Sequence, residues 1–539
     1  MTKIICTTLL VEKSPQALPL GAACVASAIK HYQGTEKECE VKLISFSRED
    51  EEIQALQSDE QKADFIATRL LKEKPQIVCM SVFVWNRTIF ELCAERLHKQ
   101  GLIIIAGGPE ITAHPDIFEN SFDYTVSGEG EYKVPRLIEK LISDRGTKLS
   151  KEEVLSCYAG ASNSTDLSLL HSPYLDGTID PTEFGGALWE LARGCPFKCS
   201  YCYESKGEKT VRLFSEERID KELEFFARKK VPQVFVLDPT YNANKQRALA
   251  LLKKIARVTP DTFYYFEARA EFIDYEMAKA FTKIPCALQI GLQSSDENVL
   301  RKVNRPFNKK QFVKNIGILN QAGVTFGLDL IYGLPGETFS SFREGINFAV
   351  GLYPNNLEIF CLSVLPGTDL FDRAQELNLT FEQTPPYNII KTDKFSPEDK
   401  KKASTLAQAC SYFYNDGRAV PWFMTICRSL KTKPAAFFEQ FYDYAGKNKI
   451  TLDCCEHKII EENQIKFIAS LYKQRQLDRY IKAAADIIRF NGAISRKTAT
   501  GISEKIRLTY PPEYIDSQYS LDLDFFVKNV RPKPCEIKI

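Results

Sequence analysis

The sequence predicts an α/β chain in three parts: an N-terminal doubly wound (Rossmann-like) domain over residues 1–145, a central partial (β/α)6 barrel over 184–382, and a mostly α-helical C-terminal domain over 383–539. Short apolar runs alternate with helical stretches through two separate regions, which is the signature of parallel sheets covered by helices. Between them, residues 146–183 lose the alternation and gather Ser, Asn, Asp and Pro, as a linker would. A chain of 539 residues also exceeds one ordinary core.

In the first part KIICTTLL, CEVKLISF, QIVCMSVFV, LIIIAGG and YTVSGEG read as strands, with helices such as PLGAACVASAIKHY and RTIFELCAERLHKQ between them. A doubly wound sheet of this kind opens its ligand crevice at the carboxyl ends of the strands. In the second part ALWELAR, PQVFVLD, TFYYFEAR, CALQIGL, TFGLDLIYG and LEIFCLSVL read as six strands, separated by helices such as SEERIDKELEFFARK and NKKQFVKNIGILNQAG. Barrel chemistry belongs on the loops that follow such strands. From about residue 383 helical stretches dominate, and no solenoid repeat is present.

Lys plus Arg is 71 against 70 Asp plus Glu, so no general charge bias draws the chain to nucleic acid or to a membrane surface. No apolar run is long enough for a membrane span, and the first residues lack the pattern of a signal peptide, so a cytoplasmic protein is expected. Most of the sixteen cysteines stand singly in apolar runs, as Cys79 and Cys361 do, and read as small buried hydrophobes.

One cluster differs. ELARGCPFKCSYCYESKG places Cys195, Cys199 and Cys202 in the loop after the first barrel strand. Three thiolates so close in sequence can converge on one centre, and soft sulfur ligands suit zinc or an iron–sulfur cluster. A structural zinc site wants four closed ligands. Here Cys157 lies upstream in the linker and Cys286 on a later strand, so the zinc alternative must borrow a distant ligand. Three ligands on a four-iron cluster leave one iron open to a substrate.

The C-x3-C-x2-C spacing after the first strand, with Tyr201 before the third cysteine, resembles the radical S-adenosylmethionine superfamily over about residues 184–382. The resemblance implies a [4Fe-4S] cluster whose open iron binds S-adenosylmethionine, and a one-electron cleavage that releases a 5′-deoxyadenosyl radical. It extends to GLQSSDENVL (Gly291, Gln293, Ser294), GLDLIYGLPGET (Asp329, Gly333, Pro335, Gly336) and SVLPGTDLF (Leu365, Pro366, Gly367, Thr368). Glu267 and Arg269 in FEARAEF, and Asp238 in VLDPTYN, are placed at strand ends where they can hold the polar parts of S-adenosylmethionine. Against each motif stands a plain structural reading: glycines make turns and Arg–Glu pairs are often only structural.

The first part resembles the cobalamin-binding domain found ahead of many radical S-adenosylmethionine enzymes, in ALPLGAACVASAIK, SVFVWN, IIIAGGPEITAHPD and YTVSGEGE. The resemblance implies corrin contacts from Leu18, Pro19, Leu20 and Gly21, from Ser81, Val82, Val84, Trp85 and Asn86, and from Gly107, Gly108, Pro109, Glu110, Gly128 and Glu129. No D-x-H-x-x-G is present, so Trp85 rather than a histidine is expected at the lower face of cobalt, and His114 reads as a surface residue. The alternative is a sheet that has lost the cofactor and only supports the barrel.

The C-terminal part resembles an uncharacterised helical extension of one subgroup, and Cys454, Cys455 and His457 within it read as structural. These resemblances imply a cobalamin-dependent radical methyltransferase that moves a methyl group to an unactivated carbon of a small-molecule or peptide substrate, served by a reductant such as flavodoxin or ferredoxin. A radical cyclase or rearrangement enzyme with cobalamin in support is the second expectation. A cluster-stabilised binding protein without turnover is the third.

Overall fold

The computed structural model describes residues 1–118, 120–158, 166–205, 210–454 and 456–539. The first sheet contains β1 (Thr2–Leu10), β2 (Cys39–Ser47), β3 (Ile77–Ser81), β4 (Ile103–Gly107) and β5 (Tyr124–Val126) in the order β2-β1-β3-β4-β5, all parallel. Its strands read as near-continuous apolar runs because both faces are covered. Helices α1 (Leu20–His31) and α4 (Gly130–Ser143) pack together on one face, and α2 (Asp59–Leu71) and α3 (Arg87–His98) on the other. Two separate apolar cores follow, one around Val78 and Phe90 and one around Cys6 and Leu137.

The second sheet is built from β6 (Ala187–Glu190), β7 (Gln233–Leu237), β8 (Phe263–Ala268), β9 (Cys286–Gln293), β10 (Thr325–Tyr332) and β11 (Asn356–Cys361). Each strand pairs in parallel with the next in sequence, so the six form one side of a barrel in simple succession. The apolar run ALWELAR is divided: β6 ends at Glu190, and Ala192–Arg193 instead pairs antiparallel with Arg212–Leu213. Helices α5 (Glu216–Lys229), α6 (Lys245–Val258), α7 (Tyr275–Phe281), α8 (Lys309–Ala322) and α9 (Phe339–Val350) cover the outside. Buried Glu222 of α5 accepts from the Trp189 indole at 2.9 Å and from Arg218 at 2.9 Å, which satisfies both polar groups inside the core.

The described residues of the stretch 146–183 carry local structure that its composition does not suggest. Lys151–Cys157 is a helix with a capping box, in which Ser150 and Glu153 satisfy each other's backbone N–H groups. Farther on, Asp176 accepts from Ser27 of α1 at 2.6 Å, so the stretch is tied to the first domain. The expected boundary at 383 falls within a short antiparallel pair, Thr380–Phe381 with Ile389–Lys391. The helices beyond it, α10 (Pro397–Cys410), α11 (Pro434–Lys447), α12 (His457–Gln474) and α13 (Ile481–Thr500), share one apolar core with the barrel. A two-stranded ribbon, Lys505–Leu508 with Cys535–Lys538, closes the chain.

Candidate active site

The cysteine loop is pinned from both sides. Gly194, at φ +87°, turns the chain out of the Ala192–Arg193 ribbon. The Ser200 N–H donates to Val303 O at 3.0 Å, Leu370 N–H donates to Ser200 O at 2.8 Å, and Cys202 N–H donates to Cys199 O at 3.1 Å. Cys195, Cys199 and Cys202 thereby line one cavity of about 220 Å³ at the carboxyl ends of the strands. Among the described residues no three His, Cys, Asp or Glu side chains close on a single ion. The thiols ring a space instead, with Thr240 Oγ1 4.0 Å from Cys195 Sγ and Arg305 Nη1 donating to Cys199 Sγ at 3.7 Å. A set of three soft donors around a cavity, beside a buried cation, fits a multi-iron cluster better than a closed four-ligand zinc site.

The same cavity is walled by polar side chains from successive strands. The β9–β10 register shifts between Gly291 and Gln293, and Gln293 takes a left-handed φ of +67°. Its Oε1 is buried without a hydrogen-bond partner, an acceptor that the chain itself leaves open toward a ligand. Arg269 is buried, lies 3.8 Å from the centre of the Phe197 ring, and donates to Glu271 at 2.8 Å. Its ionic partner is thus Glu271, while Glu267 stays apart. Asp329 accepts from Gln289, and its buried position pushes its carboxyl up to about 6. Glu267 faces the cavity void, yet protein surrounds it. That enclosure first, and the carboxylates Asp329, Glu204 and Asp238 second, push its carboxyl up to about 7.

Asp238 is occupied by Arg247 at 2.7 Å and lines the neighbouring cavity instead. Tyr201 lines the cysteine cavity, and its hydroxyl accepts from Arg305 at 3.5 Å. Leu365 does not line it; its carbonyl accepts from Thr368 in the turn that supports Leu370. Sequence reasoning overlooked Glu271, Gln289 and Arg305. Arg305 reads as the charged end of RKVNR, and only the fold brings it onto Cys199 and, through Nη2, onto Gly291 O.

Two cavities open at the carboxyl end of the first sheet. One, of about 280 Å³, is floored by Cys6 and Cys79 and rimmed by Gly21, Ser81, Gly107, Gly108, Pro109, Gly128 and Glu129. The other, of about 350 Å³ and mostly apolar, is lined by Leu18, Pro19, Leu20, Gly21, Phe83, Trp85 and, across the domain junction, Leu188 and Leu237. A Cβ on Gly21 would point into open space, so this glycine keeps the cavities joined. At Gly108, φ +103°, a Cβ would lie 2.7 Å from Val82 O, so the sheet edge tolerates only glycine there. A smooth apolar slot continued by a glycine-rimmed crevice fits a flat macrocycle with a long appendage. Among the described residues, no histidine lines either cavity.

Trp85 stacks on Phe83 with ring centres 4.5 Å apart and donates its indole N–H to Leu9 O at 2.8 Å. Other expected contacts are placed elsewhere. The Val82 side chain is buried in the core beneath the sheet, and Val84 lines neither cavity. The buried Asn86 amide knits the strand ends, donating to Leu9 O and Ser81 O and accepting from Phe83 N–H. Glu110 is buried and accepts from Tyr387 at 2.9 Å, beside Arg87. His114 meets the edge of Phe371.

A third cavity, of about 480 Å³, joins these spaces. Gly128 and Glu129 line it together with the first-sheet crevice, and Glu204, Pro239 and Glu267 line it together with the cysteine cavity. The rim is held by Arg193, which donates to Glu129 at 3.0 Å, Glu131 at 2.7 Å and Glu190 at 2.8 Å, and by Arg212, which donates to Glu129 at 2.7 Å.

In the C-terminal part His457 is the first residue of α12, and Arg496 Nη1 donates to its Nδ1 at 2.7 Å. Cys454 packs at the edge of the apolar core, and Cys455 lies outside the described residues.

Known proteins resemble this chain along most of its length. Residues 189–349 match the radical SAM superfamily model, and residues 375–501 match a family described only as a protein of unknown function, DUF4080. The cobalamin-dependent radical SAM methyltransferase TokK of Streptomyces tokunonensis is 27% identical over 55% of this chain and 48% of its own length. The 2-(S-pantetheinyl)-carbapenam-3-carboxylate methyltransferase of Streptantibioticus cattleyicolor is 29% identical over 50% of this chain and 44% of its own. The chain therefore spans about half the length of these curated relatives. The solved structure of OxsB, a cobalamin-dependent S-adenosylmethionine radical enzyme with aqua-cobalamin bound, superposes with a TM-score of 0.57 at 15% identity, over 98% of this chain and 85% of its own, which shows a shared fold. With the cysteine loop and the six-stranded half-barrel in place, residues 189–349 carry a radical S-adenosylmethionine superfamily domain.

Proposed function

We propose that this chain is a cobalamin-dependent radical S-adenosylmethionine methyltransferase that acts on an unactivated carbon of a small-molecule or peptide substrate. The observation that carries the reading is the continuous space from the glycine-rimmed crevice of the first sheet, past Glu129 and Arg193, to the three cysteines. When bound, a four-iron cluster supplies the electron that cleaves S-adenosylmethionine, and cobalamin supplies a carrier for a methyl group.

The chain's own residues do the rest. Cys195, Cys199 and Cys202 hold the cluster. Arg269, Arg305 and Gln293 offer two cations and an open acceptor to the polar ends of S-adenosylmethionine. Glu267 and Asp329, with raised carboxyls, stand where hydroxyl groups can be held without full negative charge. Leu18, Pro19, Leu20 and Trp85 offer an apolar bed for the corrin, and Leu188 and Leu237 keep water from the junction. TokK and the pantetheinyl-carbapenam enzyme, both named as methyltransferases, support methyl transfer over rearrangement. An oxygen-sensitive centre suits a reducing compartment such as the cytoplasm; no helix among the described residues is long and apolar enough to cross a membrane.

The test is anaerobic turnover of the reconstituted protein with S-adenosylmethionine bearing a deuterated methyl group. A methyltransferase yields both S-adenosylhomocysteine and 5′-deoxyadenosine and a product heavier by the labelled methyl. Deoxyadenosine with a rearranged, unmethylated product refutes the reading.

A further inference from the structure

We infer that Lys198, Arg301, Lys302, Lys309 and Lys310 form the docking face for an acidic one-electron carrier protein, an inference that rests on the radical reading above. All five are exposed. The chain as a whole is nearly neutral, at +1, so five cations gathered around one loop are a local excess. Among the described residues none of them makes an ion pair, whereas Lys245 and Lys254 of α6 each hold two carboxylates. Of the exposed carboxylates nearby, Glu297 stands at the far end of the short helix Glu297–Lys302, and Asp369, next to Leu370 whose N–H donates to the cysteine loop, is paired with Arg373 at 3.4 Å.

Local structure explains only part of this charge. Arg301 and Lys302 occupy the last turn of their helix, where cations suit the helix dipole. Lys309 and Lys310 are the first two residues of α8, whose first turn has no acidic residue, so they stand against the dipole at the end that prefers anions. Charge kept where it opposes helix stability is charge available to a partner.

The face also adjoins the cysteine loop. Arg301 and Lys302 precede Val303, whose carbonyl accepts from Ser200 N–H at 3.0 Å, between the second and third cysteines. Lys198 adjoins Cys199, and Arg305, four residues before Lys309, donates to Cys199 Sγ. Electron tunnelling falls steeply with distance, so a donor must seat at the edge nearest the cluster, and here that edge is basic. In the step served, the reduced carrier loses one electron. With a cluster held by Cys195, Cys199 and Cys202, that electron would reach the sulfonium of S-adenosylmethionine, whose C5′–S bond would break to give methionine and a 5′-deoxyadenosyl radical.

The experiment compares the holoenzyme with the quadruple variant R301E/K302E/K309E/K310E and the milder pair K302Q/K310Q, driven either by reduced flavodoxin or by photoreduced deazaflavin. Flavodoxin-driven deoxyadenosine formation is expected to fall about tenfold or more in the quadruple variant and by less in the pair, and the wild-type rate is expected to fall as salt rises. Deazaflavin-driven rates are expected to stay within twofold, roughly, of wild type. Equal loss with both reductants in the K302Q/K310Q pair, or a flavodoxin rate indifferent to both charge and salt, overturns the docking face. A wild-type holoenzyme that forms no deoxyadenosine even with deazaflavin refutes the radical reading instead.

Discussion

Arg193 Nη2 lies 2.7 Å from Glu131 Oε1, a contact between the two-stranded ribbon that feeds the cysteine loop and the first turn of α4 at the edge of the first-sheet crevice. The same guanidinium reaches Glu129 and Glu190, and it is mostly buried. Together with Arg212, this side chain ties the two cavities that the proposed methyl transfer would join. The chemistry needs them in register, because near-attack geometry is lost over about an ångström.

Removing this clamp takes that cation from Glu131 and Glu190 while Glu129 keeps Arg212, and breaking a buried pair costs about 3–5 kcal/mol. Arg193→Gln is expected to lower the unfolding midpoint. Reconstituted Arg193→Gln should still form 5′-deoxyadenosine while S-adenosylhomocysteine falls about tenfold. Liquid chromatography of both products checks this, and an unchanged ratio between them assigns Arg193 to stability alone.

Arg269→Ala and Arg305→Ala are expected to weaken S-adenosylmethionine binding at least tenfold, since a hydrogen bond to a charged group is worth about 1.5–3 kcal/mol. Iron content separates the two. Arg269 pairs with Glu271 and Phe197, so its loss should leave iron unchanged, whereas Arg305 touches Cys199 and its loss should also lower cluster yield. Equilibrium binding and iron assays on the two variants give the comparison.

Gly21 stands where both first-sheet cavities meet and where a side chain would enter open space. Gly21→Phe is expected to fill that space, abolish cobalamin uptake and leave iron content intact. Cobalt and iron assays after reconstitution measure both quantities at once, and full cobalt occupancy in the variant places the corrin elsewhere.

His457 gives a pH signature in the C-terminal part. Burial first, and then Arg418 and Arg496, push its imidazole down to about 4. Its Nδ1 accepts from Arg496, which requires the neutral ring, while Glu461 and Glu504 face the same arginine. With a folded value below the unfolded 6.5, the unfolded state binds more protons between the two. Stability from this group is complete above about pH 6.5 and is lost as the pH falls toward 4, by about 3 kcal/mol. His457→Gln is expected to flatten the unfolding midpoint between pH 6.5 and 4. An equally steep fall in the variant removes His457 as its cause.

Both sheets were legible in the sequence because each strand is a short apolar run flanked by amphipathic helices, and the period changes visibly at every boundary. The cysteine loop was legible because three cysteines share eight residues. The arginine that matters beside them was not. Arg305 reaches Cys199 across 106 residues, and local spacing carries no trace of such a contact. Of the residues expected to touch a corrin, Asn86 and Glu110 have their polar groups taken by Leu9, Ser81, Tyr387 and Arg87, contacts that local sequence does not show. The helix Lys151–Cys157 was hidden by its Ser-rich surroundings, although Ser150 and Glu153 announce its cap.

The most direct measurement is 5′-deoxyadenosine formation from S-adenosylmethionine by the anaerobically reconstituted wild type and by its Cys195→Ala/Cys199→Ala/Cys202→Ala variant, each with a strong reductant and an iron assay. The wild type is expected to bind about four irons and to form deoxyadenosine, and the variant to do neither. Deoxyadenosine from the variant, or a wild type that binds one zinc and leaves S-adenosylmethionine intact, contradicts the assignment.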